Sequence, residues 1–316
     1  LGGGGTDVPK FYTRHLKGGM WISGCIDKFI YIVVKERFER EIHVKYSQFE
    51  TVFDVEVIKH PIIREALKRF NVKSRIEVIC LADLPGRTGL GSSGAFTVGL
   101  LNALHHYFFP DAINSPDPTS LAEEAFKIEH DVLKRPVGKQ DPYCASYGGV
   151  RAYTVTQDGW VATFELPSST VLRLEDCLLM VYTGLRRGSV TLLRETQENP
   201  RYFELTKQVY ELGRRKLQAL ITRDMETYGR LLHEYWNLKK RFAPDITNPT
   251  IDTLYSFGLK HGALGGKVMG AGGGGFLLFV CPSRETRDRL KQKFRERDVE
   301  VVDFKFWHRG SEVIKI

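Results

Sequence analysis

Three features of the 316-residue sequence predict an α+β protein in two domains. The first third is crowded with β-branched, partly alternating stretches. Beyond residue 170 long helical segments take over, and two apolar strands then flank a charged helix near the end of the chain. The length leaves room for two buried cores.

In chain order, "FIYIVVKERF" (29–38), "EIHVKYS" (41–47) and "SRIEVICLA" (74–82) read as strands, with a short helix "PIIREALKRFN" (61–71), Pro at its start, before the third. Helices are expected over 92–108 and 120–134. The segment "PDAINSPDPTS" between them reads as a loop, and so does the glycine-bearing "RPVGKQDPYCASYGG" (135–149). "VRAYTVTQDGWVATFEL" reads as a hairpin turning at Asp158-Gly159, and 178–182 as a buried strand. Helices follow over 201–222, 225–241 and 249–260. "GGKVMGAGGGGFLLFVC" and "VEVVDFKF" are read as strands on either side of a helix over 284–297, whose alternating charges mark a solvated face. The boundary near residue 170 gives domains 1–170 and 171–316.

Composition narrows the function. At 42% hydrophobic and 27% charged the chain has an ordinary globular balance. No apolar run approaches the roughly 20 residues of a membrane span, and no signal peptide is visible. Five scattered cysteines, never spaced CxxC, read as reduced thiols of a cytoplasmic protein and argue against a zinc site. The net charge of +8 suits either a plain solvated surface or a field that attracts nucleotides and sugar phosphates. Its dispersal argues against nucleic acid. The chain opens on Leu1 rather than Met, which leaves open whether the natural N-terminus lies upstream.

Four stretches carry the chemistry. In "LPGRTGLGSSGAF", Gly89-Leu90-Gly91-Ser92-Ser93-Gly94 precedes an apolar helical run. Glycines permit positive φ and close approach, and bare N–H groups at a helix start attract an anion, which fits NAD and ATP equally. A dinucleotide fingerprint would sit tightly between a first strand and its helix, with an acid about 20 residues on. Here "DLPGRT" intervenes, and loop and helix follow. A Walker loop is excluded by the lack of GK[ST]. Ser92 and Ser93 stand where either helix caps or phosphate and Mg²⁺ ligands would sit.

"LGGGGTDVP" sets Thr6 and Asp7 after four glycines, suited to turn chemistry or to a grip on sugar hydroxyls. "GGKVMGAGGGGFLLFV" contains a second GxGxxG (Gly270, Gly272, Gly275), but it runs into a strand. So many glycines in an apolar hairpin point to backbone passing close beside a ligand. "VGKQDPYCASYGG" places Asp141 beside Lys139, after a helix carrying Glu123, Glu124 and Glu129. Each acid alone reads as a surface charge. Together they meet a kinase's need for an acid near the attacking hydroxyl, a metal-binding acid and a cation.

These stretches, in this order, resemble the GHMP kinase superfamily over nearly the whole chain. "GGGGTDVP", "IEHDVLKRPVGKQDPY", "YTGLRRGS" and "GGKVMGAGGGGF" look closest to its D-glycero-D-manno-heptose 7-phosphate kinase branch. The resemblance implies a ribosomal protein S5 domain 2-like N-terminal domain and a ferredoxin-like C-terminal domain, with the site between them. It implies an ATP- and Mg²⁺-dependent sugar kinase acting on an anomeric hydroxyl, in the making of nucleotide-activated heptose for surface polysaccharide.

By position, Gly89, Leu90, Gly91, Ser92, Ser93, Gly94 and Ala95 would hold the ATP phosphates. Ser92, Ser93 and Glu129 match the Mg²⁺ ligands, Asp141 the catalytic acid, and Lys139 a charge-stabilising neighbour. Thr6 and Asp7 match the sugar-contacting motif, with Gly270, Gly272 and Gly273 crowding the centre. Arg187, or Arg186 in competition, would take the substrate's own phosphate, where a guanidinium fork fits. The family carries an arginine on a strand just upstream of the first motif, and this sequence begins after that position. That leaves either a longer natural chain or a missing arginine. Alternatives are a kinase of an unphosphorylated sugar (fucose, galactose or arabinose type), a silent sugar or ATP sensor, and more weakly a dehydrogenase. Monomer and homodimer are equally compatible.

Overall fold

A computed structural model describes residues 1–110 and 116–315. Part of the loop expected over 110–120 lies outside the described residues. The chain packs into two compact units, each discontinuous. One comprises Leu1–Asp27, Gly86–Leu90 and Gly149–Trp307. The other comprises Lys28–Pro85, Gly91–Gly148 and His308–Ile316. Packing groups the first 27 residues and the Val150–Glu165 hairpin with the later half of the chain.

In chain order the elements begin with α1 (Pro9–Tyr12) and β1 (Gly19–Gly24). The second unit then holds β2 (Ile30–Glu36), β3 (Ile42–Lys45), β4 (Phe49–Val52), α2 (Pro61–Arg69), β5 (Ile76–Ala82), α3 (Ser92–Phe108), α4 (Pro118–Phe126) and α5 (Gln140–Tyr147). Its sheet runs β2-β5-β3-β4, antiparallel except for the parallel β3/β5 pair, which is reached by way of β4 and α2. Ile42, Val44, Ile76 and Val78 pack with Ile63 and Leu67 of α2 and with Leu101 and Leu104 of α3 to form the core.

The first unit continues with β6 (Val150–Val155), β7 (Val161–Glu165), α6 (Ser168–Cys177), β8 (Leu178–Tyr182), α7 (Ser189–Glu198), α8 (Tyr202–Ile221), α9 (Met225–Lys239), α10 (Pro249–Lys260), β9 (Gly265–Val268), β10 (Phe276–Val280), α11 (Arg284–Arg295) and β11 (Val301–Val302). Strands β1, β6 and β7 form one antiparallel sheet. The other is β11-β8-β10-β9, also antiparallel. Counted from β8, that order is 4-1-3-2, the ferredoxin-like arrangement. Strand β10 is buried throughout and reads as a continuous apolar run. The helices behind it start at side-chain caps: Asp224 accepts from Thr227 N, Asn248 from Ile251 N and Ser283 from Thr286 N.

Four departures from the sequence reading have local causes. The segment 135–149 is not all loop, because Gln140–Tyr147 is helical. Pro142 lies in its first turn, where the missing N–H is no loss, and Gly148 at φ 71° ends it. Strand β1 is buried almost throughout and so lacks the alternation that marks a strand. Strand β4 has only four residues. Helix α6 runs straight into β8, so no turn signal separates the two.

Candidate active site

The phosphate-loop candidate begins in the first unit at Gly89 and enters the second at Gly91. Gly91, at φ 71° and ψ 20°, is the N-cap of α3, and no side chain caps this helix. The serines are therefore not caps. They occupy the first turn, with Ser93 exposed and Ser92 half-buried. Ala95 N donates to Gly91 O at 3.0 Å, the first bond of the helix. The N–H groups of Ser92, Ser93 and Gly94 are left as the donors a helix start offers to an anion.

Asp141 stands against this turn, in the first turn of α5. A Cβ on Gly94 would fall 2.7 Å from Asp141 Cβ, and one on Gly91 would fall 3.0 Å from Asp141 Cγ. The N-cap glycine and a glycine in the first turn of α3 therefore stand where the acid needs room. Glu129 comes from a π-helical turn, Lys127–Val132, that follows α4. Although 4% exposed, it reaches Ser93, whose Oγ donates to Oε2 at 2.5 Å. Thr97 Oγ1 donates to the other carboxylate oxygen at 3.3 Å.

Ser93 and Glu129 are thus in direct contact. Hard oxygen donors of this kind suit Mg²⁺, which completes its shell with phosphate oxygens and water. Ser92 makes no comparable approach in the hydrogen-bond pattern. Arg135, which the sequence reading passed over, donates to Glu129 Oε2 at 2.8 Å and to Ser93 Oγ at 3.1 Å.

Lys139 meets an acid of α4. Its side chain is 5% exposed, and its ammonium lies 2.5 Å from Glu123 Oε1, which also accepts from the Tyr143 hydroxyl. It stands over the Phe126 ring, 5.3 Å from the centroid. The side chain is turned into the packing of α4 against α5. Burial first, and then Glu123, raises the Tyr143 pKa, so the phenol stays protonated.

In the first unit the late glycine stretch passes beside backbone. Gly270, at φ 63°, would carry a Cβ 2.5 Å from Gly89 Cα, and a Cβ on Gly89 would lie 2.5 Å from Met269 O. The glycines let the two motifs touch main chain to main chain. Gly272 abuts Ile246 in the same way.

Thr6 is fully buried and serves its own loop. Its Oγ1 lies 2.5 Å from Met20 O and 2.9 Å from Gly3 O, and it accepts from Met20 N at 2.9 Å. Asp7, 4% exposed, accepts from Gly5 N at 2.8 Å. Its charge adds to burial in raising the pKa values of Tyr202 and Tyr235. Arg187 donates to Asp245 Oδ2 at 2.9 Å and to Asp245 O at 3.0 Å. Its Cδ would lie 2.8 Å from a Cβ on Gly273. Arg186 is exposed.

Two buried lysines were also missed. Lys216 has no exposure, and among the described residues its Nζ has no hydrogen-bond partner; it stands 4.1 Å from the Tyr235 ring centroid. Burial, then Lys267, brings its pKa down to about 7. Lys239 donates to Gly270 O and is likewise depressed, chiefly by burial. The available signal was a lysine on the apolar stripe of Leu212, Ala219 and Leu220. A cleft of about 600 Å³ lined by Glu204, Lys207, Glu211, Arg215, Glu234 and Arg241 contains none of the expected residues.

A glycine-rich helix start, an acid beside it and a serine–carboxylate pair suit a nucleotide phosphotransferase. The chain belongs to the GHMP kinases: the family's N-terminal domain pattern matches residues 56–149 and its C-terminal pattern residues 216–299. It is an ATP-dependent kinase of that family.

The D-glycero-alpha-D-manno-heptose 7-phosphate kinase of Campylobacter jejuni is 24% identical, over 100% of this chain and 96% of that protein. The crystal structure of a D-glycero-D-manno-heptose 1-phosphate kinase from Bacteroides thetaiotaomicron aligns with TM-score 0.77 at 20% identity, covering 100% and 96% of the two chains. Lactococcus lactis galactokinase complexed with galactose aligns with TM-score 0.72 at 15% identity, covering 100% and 92%. Among the described residues, no helix is long and apolar enough to cross a membrane.

Proposed function

We propose that this enzyme phosphorylates the anomeric hydroxyl of a sugar phosphate, with D-glycero-D-manno-heptose 7-phosphate as the leading substrate. The 1,7-bisphosphate produced would lead toward nucleotide-activated heptose for surface polysaccharide. The observation that carries this reading is the Asp141 side chain packed on Gly91 and Gly94, which puts an acid at the loop's anion-binding N–H groups.

In the transfer, the C1 hydroxyl oxygen bonds to the γ-phosphorus of ATP and the bond to the ADP oxygen breaks. The hydroxyl proton passes to Asp141 or, with the hydroxyl oriented by Asp141, to an oxygen of the transferred phosphoryl group. A largely dissociative transfer needs alignment more than deprotonation, and an anomeric hydroxyl is already more acidic than an ordinary one. The amides of Ser92, Ser93 and Gly94 would bind the phosphates, continuing the turn from Gly89 and Leu90 into Ala95. Ser93 and Glu129 would hold Mg²⁺, with Ser92 a further candidate, and the ion when bound would neutralise phosphate charge. Asp7 is assigned to the sugar hydroxyls and Arg187 to the substrate's phosphate. Lys139 acts at one remove, by fixing the start of α5 through Glu123.

The Arg187–Asp245 pair supports a second reading, a kinase of an unphosphorylated sugar, because it already gives the guanidinium a carboxylate. One assay tests both. The enzyme is incubated with ATP, Mg²⁺ and a panel of free and phosphorylated sugars, and the new phosphate is located by NMR. Transfer to C1 of heptose 7-phosphate supports the first reading, and transfer only to a free sugar supports the second. No transfer to any sugar, from an enzyme that binds both ligands, would leave a sensor.

A further inference from the structure

Arg135 follows the π-helical turn that carries Glu129 and folds back onto it. Its own N–H donates to Glu129 O at 3.0 Å, which fixes where the side chain starts. Its Nη1 then reaches Glu129 Oε2 at 2.8 Å and Ser93 Oγ at 3.1 Å. These are the two oxygens that the proposed Mg²⁺ would share.

Glu129 is 4% exposed, and a buried carboxylate without a counter-charge is strongly disfavoured. Arg135 supplies that charge. A metal ion on the same oxygens would sit about 2.0–2.1 Å from each, inside the space of the guanidinium and carrying like charge. One donor pair thus has two claimants. The arginine can yield without unfolding, since its side chain is 22% exposed.

We propose that Arg135 is the resident counter-cation of the Ser93–Glu129 pair, and that a divalent ion must displace it. Arg135 thereby sets the metal concentration at which the nucleotide loop loads. It keeps the carboxylate paired while the loop waits, and it weakens metal binding by the free energy of the contacts it gives up. The inference rests on the reading of this loop as the nucleotide–metal site.

The test is a Mn²⁺ titration, read from the EPR signal of free Mn²⁺, at saturating AMP-PNP. It compares wild type with Arg135→Gln and Arg135→Lys. Arg135→Gln keeps hydrogen-bonding capacity but removes the charge, and should bind Mn²⁺ roughly five- to tenfold more tightly. Arg135→Lys keeps the charge on a poorer geometry and should fall between. The Mn²⁺-induced rise in melting temperature should follow the same order.

Mn²⁺ affinity in Arg135→Gln that is equal to or weaker than wild type would overturn the proposal, as would loss of AMP-PNP binding, which would make Arg135 a phosphate ligand. If Arg135→Gln fails to fold, Arg135→Lys decides by the same criterion. A wild-type protein that takes up neither AMP-PNP nor Mn²⁺ would instead defeat the kinase reading on which the proposal stands.

Discussion

Gly270 meets Gly89 so closely that a Cβ on the first would stand 2.5 Å from the Cα of the second. The two glycine motifs, 181 positions apart, are in main-chain contact at Gly89, so the late hairpin buttresses the start of the proposed phosphate loop. Gly270→Ala adds that clash to a positive φ of 63°. It should cost about 2–3 kcal/mol in urea denaturation and weaken nucleotide binding. Gly86 has open space about its Cβ position, so Gly86→Ala serves as a control and should stay within about 0.5 kcal/mol of wild type.

Asp141 is exposed, so Asp141→Asn should leave the melting temperature and AMP-PNP affinity near wild type. Turnover should fall by about 10²–10⁴-fold if the carboxylate takes or orients the proton. Full turnover in the variant would remove Asp141 from the mechanism.

Arg187→Ala separates the two substrate readings. With a phosphosugar the apparent affinity should weaken by about 1.5–3 kcal/mol, the usual worth of a hydrogen bond to a charged group. An unchanged affinity for heptose 7-phosphate would return Arg187 to its pair with Asp245 as a structural contact.

Lys216 predicts a pH dependence of stability. Its pKa is about 7 in the folded protein against 10.5 for the free side chain. Between those values the unfolded chain holds a proton that the folded chain does not, so stability rises with pH across the window and falls as pH drops toward 7. The slope reaches about 1.4 kcal/mol per pH unit for one such group. Lys216→Met should raise stability at pH 7 by about 2–4 kcal/mol and flatten the profile, leaving a remnant from Lys239. Urea midpoints at pH 7 and 9.5 measure both. An unaltered slope in the variant would show that Lys216 is not the titrating group.

Much of the fold was legible because it is written in local patterns. Helices Ser92–Phe108 and Pro249–Lys260 and strand Leu178–Tyr182 match their expected bounds, since periodicity, Pro and glycine act within a few residues. The membership of the kinase family was equally readable from the motifs. Helix α5 was misread because Gly138 and Pro142 look like loop residues until their places relative to the first turn are known.

The sequence alone determined which residue types gather into motifs: a glycine-rich turn before an apolar helix, and acids at spacings a phosphotransferase needs. Only the tertiary structure decided their employment. It turned Thr6 inward and tied Lys139 to Glu123. It also set the late glycines against Gly89 and laid Arg135 across Ser93 and Glu129. The physical reason is that a side chain's partner depends on distances between segments remote in the chain. Local propensity carries no information about those distances, and in a buried setting the partner, more than the residue type, decides what a charge or hydroxyl can do.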